Sequence, residues 1–335
     1  VSKIFLYKDG ERVGVLQNCS SVQWLEHYQS AGEVKIVAAP TERNKELLTP
    51  GTRLYNADSD TSAVIVETEV QAGEDKALIV LADIASAILD ERVVLWRRLV
   101  TNIETGMYTL LRENLRGLPL SLAEPKGFTE STETELDWGS VLDAVETLAT
   151  VSGLGFKVCF DPMTAAETFE VYKGTDRSTP GEDYVGSFST ALGNVDAFTL
   201  RQGVIDYKNV AIVVGEGAPV TVSLGNVPAE ARRELFVNAQ NLRREETEAS
   251  YEQLLRSRGR EALAEHLRTF EIECEINQNN MRFGQDYFLG DCLPIRLDEH
   301  GIAVAARVAS VQHVYETEGN RTLITLDDFR LEEAP

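Results

Sequence analysis

Tyr184–Gly215 reads YVGSFSTALGNVDAFTLRQGVIDYKNVAIVVG. Short apolar stretches, FTLRQ and NVAIVVG, lie between glycines, which is the pattern of brief strands separated by turns. The glycines here shape turns more readily than they bind ligands. Gly215-Glu-Gly217 lacks the third glycine and following helix of a dinucleotide fingerprint, so it reads as a turn.

Towards the C-terminus the β pattern continues in PVTVSLG. It is interrupted at 228–268 by an excursion with a helix expected over about Thr247–Leu267. Tyr251, Leu254, Leu255, Ala262 and Leu263 are its packing residues. EIECEINQ, CLPIRLD, IAVAARVASVQHVYE and TLITLDDF follow, with a hairpin loop at Asp298–Gly301. In Phe270–Ile276 the residues Phe270, Ile272, Cys274 and Ile276 alternate with Glu271, Glu273 and Glu275. One side of that strand is core and the other is a row of carboxylates. The row reads either as a water-facing surface or as the wall of a channel that repels a passing polyanion.

Towards the N-terminus, GFKVCF and TFEVYKG form an expected hairpin. Before it, Ser140–Val151 reads as a helix with Gly153 as a left-handed cap. Ile103, Met107, Leu110 and Leu111 recur at helical spacing, and Ala123–Asp137 is a polar loop without periodicity. Residues 1–98 are a run of strands with turns at Asp9–Gly10, Pro50–Gly51 and Gly73–Asp75. At 335 residues the chain exceeds one compact core, which stops growing near ~250–300 residues, so two or three domains are expected.

The charge excludes whole classes of function. There are 54 acidic and 32 basic residues, a net −22. No basic patch offers the footprint that nucleic acid requires, so stable nucleic-acid binding is not expected. No run reaches the roughly 18 apolar residues of a membrane span. The start, VSKIFLYKDG, lacks the apolar core of a secretory signal, and folding in a cytoplasm is expected. Cys19, Cys159, Cys274 and Cys292 are widely separated and read as reduced thiols. His27, His266, His300 and His313 form no metal-spaced set, so neither metal nor cofactor is expected.

Catalytic motifs are absent: no G-x-S-x-G, no H-E-x-x-H and no G-x-x-x-x-G-K-[ST]. Asp58 and Asp60 in NADSD read as an acid pair or as a solvated turn, and the turn is the simpler reading. The same holds for Glu130, Glu133, Glu135 and Asp137. A carbohydrate-binding surface would call for exposed aromatics, whereas Trp24 and Trp96 have apolar neighbours that point to burial.

GFKVCFDP (Gly155–Pro162), FEVYKGTDR (Phe169–Arg177), FSTALGNV (Phe188–Val195), YKNVAIVVG (Tyr207–Gly215), RRELFVNAQNL (Arg232–Leu242) and DYFLGDCLPIRL (Asp286–Leu297) occur in this order. With YQSAGEVKIVAAP (Tyr28–Pro40) near the start, the series resembles the siphophage tail-tip, or baseplate hub, family. That family is similar to contractile-phage hubs and to the N-terminal part of tail-associated lysins. The resemblance implies an α+β, mainly β fold with two tube-type β-barrel domains: a first barrel at 1–98, an α/β insertion at 99–190, and a second barrel at 191–335 broken by the helical segment at 228–268.

It also implies a non-enzymatic virion protein of the tail tip, assembled in the host cytoplasm as a homotrimer. Such a hub closes the tail tube and opens for DNA. Its partners would be the distal tail or tail tube protein, a fibre or spike protein and, further, the tape measure protein. Glu271, Glu273 and Glu275 would then be candidate lumen residues. The alternatives are the hub of a contractile injection system and, in another class, a cell-wall or polysaccharide hydrolase using an acidic pair.

Overall fold

A computed structural model of the chain describes residues 4–73, 76–136, 138–242 and 248–331. Glu74 and Asp75 of an expected turn, Asp137 of the polar loop and Thr247 of the expected helix lie outside them. The fold is mainly β with few helices, as expected. It divides into two compact units: Val1–Thr132, Leu136–Thr199 and Glu273–Pro335 in one, Glu133–Glu135 and Leu200–Ile272 in the other. These lines differ from the three expected stretches: most of 99–190 belongs to the unit of the first β region, and 200–272 forms the smaller unit with Glu133–Glu135.

In the larger unit, β1 (Ile4–Lys8) and β2 (Glu11–Val15) meet across Asp9 and Gly10, both left-handed at φ 50° and 80°. That is the geometry a two-residue Asp-Gly hairpin needs. There follow β3 (Cys19–His27), β4 (Glu33–Ala38), a short helix α1 (Glu42–Leu47), β5 (Arg53–Asn56), β6 (Thr61–Gln71) and β7 (Ala77–Ile84). Alternate residues turn inward and build a core of Leu6, Val22, Trp24, Ile36, Leu54 and Val80.

The next segment contributes β8 (Arg98–Asn102), α2 (Ile103–Asn114), β9 (Leu120–Leu122), β10 (Ser131–Leu136), α3 (Val141–Ser152), β11 (Gly155–Asp161) and β12 (Ala166–Tyr172). Asn102 caps α2 by accepting from the Thr105 N–H, and Ser140 caps α3. Gly153 ends α3 at φ 74°, the expected left-handed cap. Ile103, Met107, Leu110 and Leu111 are all buried. The polar loop is not wholly irregular: β10 pairs with β8, because Thr134 and Leu136 both turn inward. Buried Glu104 fixes the rest of it, accepting the N–H groups of Lys126, Gly127 and Phe128 at 2.6–2.8 Å.

The remaining elements are β13 (Phe188–Ser189), β14 (Val195–Gly203), β15 (Val210–Val214), β16 (Val220–Ser223), β17 (Glu234–Asn238), α4 (Glu248–Ala264), β18 (Thr269–Ile276), β19 (Cys292–Leu297), β20 (Ile302–Glu316) and β21 (Gly319–Leu331). In the smaller unit, β16, β15 and β17 form a sheet against which α4 packs Tyr251, Leu255 and Leu263. β15 and β16 were expected in the second barrel; they belong instead to this separate sheet.

Two closed barrels are not what the strands form. Among the described residues one sheet runs β14-β18-β21-β20-β3-β4-β7-β6-β5-β1-β2, with β13 and β19 attached at β20, and no pairing joins its ends. The reason is the length of β20. Its first half pairs with β19 and its second half, Ser310–Glu316, pairs with β3, while β21 follows it on the other side. One 15-residue strand thus belongs to both β regions. Trp24 is fully buried as expected, but Trp96 is 69% exposed, because Val94 and Val100 take the core positions on either side of it.

Candidate functional site

Three of the quoted motifs, GFKVCFDP, FEVYKGTDR and DYFLGDCLPIRL, converge on Tyr28, just beyond β3. Its hydroxyl donates to the Gly153 carbonyl at 3.1 Å and accepts the Gly174 N–H at 3.1 Å. Its ring packs edge-on against Tyr172 and lies 5.4 Å from the Arg307 guanidinium. Gly155 and Gly290 lie flat on that ring: a Cβ on either would stand 2.2–2.3 Å from it. A Cβ on Gly174 would stand 1.9 Å from the Gly290 carbonyl oxygen. Buried Asp291 closes the joint, accepting from the Thr175 N–H and from Arg177 Nε, both at 2.7 Å. The glycines of GFKVCFDP, YKGTDR and FLGDC therefore serve close packing, where the sequence reading expected turns. In GNV, Asn194 accepts from the Ser189 N–H and donates to the Ser187 carbonyl.

Beside this joint, within the larger unit, is a cavity of about 530 Å³ between the end of β3, the turn at 58–61, the β11–β12 hairpin and residues 283–291. Its wall includes Glu26, only 8% exposed. Thr61 Oγ1 donates to Glu26 at 3.0 Å and itself accepts from the Trp24 indole at 3.0 Å. Burial pushes the Glu26 carboxyl up to about 7, against the hydrogen bonds of Thr61, Ser59 and Trp24 and the charge of Lys157. Across the cavity, burial would raise Glu170, but Lys126 and Lys157 hold it below the usual range. Burial also raises the Cys159 thiol and lowers His27.

Asp58 and Asp60 line the same cavity, and both are held as turn residues. The Asp58 N–H donates to Asn56 Oδ1, and Asp60 accepts from the Tyr55 hydroxyl at 2.6 Å. The sequence reading missed Glu26, although the alternation Val22, Trp24, Glu26 already put it on the core side of β3. Of the other acidic cluster, Glu130 pairs with Lys173, which holds it low. Burial carries His313 down to about 4. Among the described residues no group of three or more His, Cys, Asp or Glu is arranged to hold a metal, and all four cysteines are free thiols.

On β18, Ile272, Cys274 and Ile276 are buried, while Phe270 departs from the expected alternation at 36% exposed. Glu271 is partly exposed and pairs with Arg201 at 3.1 Å; Glu273 is exposed and Glu275 half-buried. The row stands on the outward side of its strand, with its first member neutralised.

The fold defined by this sheet is that of phage tail proteins. A 43 kDa tail protein of prophage MuSo2 from Shewanella oneidensis matches 97% of this chain and 98% of its own at TM-score 0.59 and 10% identity. A tail protein from Neisseria meningitidis MC58 matches 98% and 97% at TM-score 0.59 and 11% identity. Prophage tail protein gp18 from Listeria monocytogenes EGD-e matches 98% and 94% at TM-score 0.53 and 12% identity. At such identities the likeness is one of fold. The family is given by sequence: residues 3–326 match the model of the siphovirus ReqiPepy6 Gp37-like proteins, and the chain belongs to that family. No curated protein sequence matches it.

Proposed function

We propose that this chain is a structural tail protein of a siphovirus-type phage, acting as the hub at the distal end of the tail tube. The observation that carries the reading is the strand β20 shared by two β regions, in a chain of a siphovirus family with the fold of phage tail proteins. Two β modules per subunit, fixed to each other by backbone pairing, suit a trimer that offers six modules to a sixfold tube ring. The hub would contact the distal tail or tube protein above and a fibre or spike below, and would open for DNA. Glu273 and Glu275 with Glu271 would face that path, where fixed negative charge keeps DNA from adsorbing. In this reading the protein is a virion component without catalysis. Immunogold labelling of purified virions tests it: gold confined to the tail tip is expected, and gold along the tube, on the capsid or nowhere sinks it.

A hydrolase reading draws on one specific observation, the cavity that gathers Glu26, Asp58 and Asp60. Clearing of cell-wall polysaccharide by the purified chain, lost in Glu26→Gln, would establish it in place of the structural one.

A further inference from the structure

The cavity beside the Tyr28 joint has hydrogen-bonding capacity that the fold does not consume. Three ion pairs around it close on themselves: Lys126 with Glu170, Lys173 with Glu130, and Arg177 with Asp291. Lys157, also on its wall, stands 4.0 Å from Glu170 and 5.3 Å from the centre of the Tyr172 ring, too far to donate a hydrogen bond to either. On the wall made by the 58–61 turn, Asp60 Oδ1 accepts from Tyr55. Among the described residues no hydrogen bond reaches Asp60 Oδ2 or the Asp58 carboxylate. Glu26, 8% exposed, adds a carboxyl that keeps its proton to about pH 7 and so offers a donor as well as an acceptor. Phe288 lines the same space at 45% exposed, and its own N–H is anchored to Asp291 Oδ2 at 3.0 Å.

These groups select against some ligands as well as for others. An anion would meet the uncommitted ammonium of Lys157 but also the uncommitted carboxylates of Asp58 and Asp60, and a simple cation would meet Lys157. An amino acid or dipeptide would have to bring each of its charges to the matching wall at once. A hydroxyl both donates and accepts, so a polyol satisfies ammonium, carboxylate and neutral carboxyl alike. A sugar ring adds an apolar face that an anchored, half-exposed phenylalanine can cover. A space of about 530 Å³ lies within the range of small-ligand pockets. We propose that this cavity binds a short uncharged saccharide, with Asp58, Asp60, Glu26 and Lys157 holding its hydroxyl groups and Phe288 covering one ring face. The assignment is one of binding. It does not rest on the hydrolase reading, because a structural tail protein can hold a saccharide that it never cuts.

Saturation-transfer NMR on the full-length chain tests this. The probes are maltose, cellobiose, lactose and diacetylchitobiose, with glucose 6-phosphate and dialanine as the charged counterparts. Transfer to at least one neutral saccharide is expected, stronger than to either charged probe. Lys157→Met and Asp60→Asn should each weaken it by about tenfold or more, with urea midpoints confirming that the variants fold. Asp60→Asn suits the backbone there, since φ is 56° and asparagine tolerates that region. Should one variant fold poorly, the other decides. No transfer to any of the four saccharides, transfer unchanged in the folded variants, or stronger binding of a charged probe would overturn the proposal. New reducing ends, assayed in the same samples, score the hydrolase reading separately: a saccharide bound and left intact upholds the cavity assignment while counting against cleavage.

Discussion

Tyr28 and Glu26 sit two positions apart on the same side of β3 and its extension, yet they act in opposite senses. Tyr28 bonds two partly buried backbone groups, and while Arg307 still reaches the Gly153 carbonyl, the Gly174 N–H loses its bond in Tyr28→Phe, which should cost about 1–3 kcal/mol. Gly290→Ala should be worse, about 3 kcal/mol or more, since φ is 91° and the new Cβ meets the Tyr28 ring. Urea unfolding of each variant measures both. Glu26 opposes folding once ionised. The folded carboxyl keeps its proton up to about pH 7 and the unfolded one loses it near 4.5, so folding takes up a proton between those values. Stability should fall as pH rises from about 4.5 to 7 and then level. Asp327, raised by burial to about 6, works in the same direction. Glu26→Gln should therefore gain on the wild type between pH 4 and pH 8 by on the order of 3 kcal/mol. A difference in unfolding midpoints that does not change with pH would refute this.

Among elements, β20 and α4 were legible in the sequence as elements, but what they pair and pack with was not. Local periodicity showed both as a strand and a helix, and it also gave the Asp9–Gly10 hairpin and the Gly153 cap, because those depend on neighbouring residues. Which strands pair is decided by contacts remote in sequence. Val311 meets Glu26 across some 285 positions, and no spacing rule announces that. The cavity was half legible for the same reason: Asp58 and Asp60 stood out as a short acidic turn, whereas Glu26 was visible only through the alternation of its strand. Trp96 was misread because apolar neighbours in sequence do not fix the direction of a side chain in an irregular segment. Flanked on both sides, the β20 amides from Ser310 to Tyr315 should exchange hydrogen among the slowest in the protein, and those of edge strand β2 much faster. In α4, Gly259 lies against Val213 and Val222, where a Cβ would stand 2.8 Å from each. Gly259→Ala should lower the stability of the 200–272 unit by about 1–3 kcal/mol. Hydrogen exchange should then quicken in β15 and β16 and stay unchanged in β3.

For the whole molecule, net charge sets the terms of every encounter. At −22 the chain should not retard duplex DNA in a gel even at about 10 mM salt, where the Debye length is near 30 Å and attraction to a basic protein would be strongest. A shifted band would contradict both the compositional argument and the repelling wall proposed for β18. The connectivity of the smaller unit has a different bearing. The chain leaves the larger unit along β14 and comes back along β18, and these two strands are neighbours in one sheet. To that sheet, everything between them is equivalent to the loop of a hairpin. Such an attachment point makes the 200–272 unit a cassette: a lineage could trade it for a different appendage, or trim it to a tight turn, without re-registering a single strand of the scaffold that carries it.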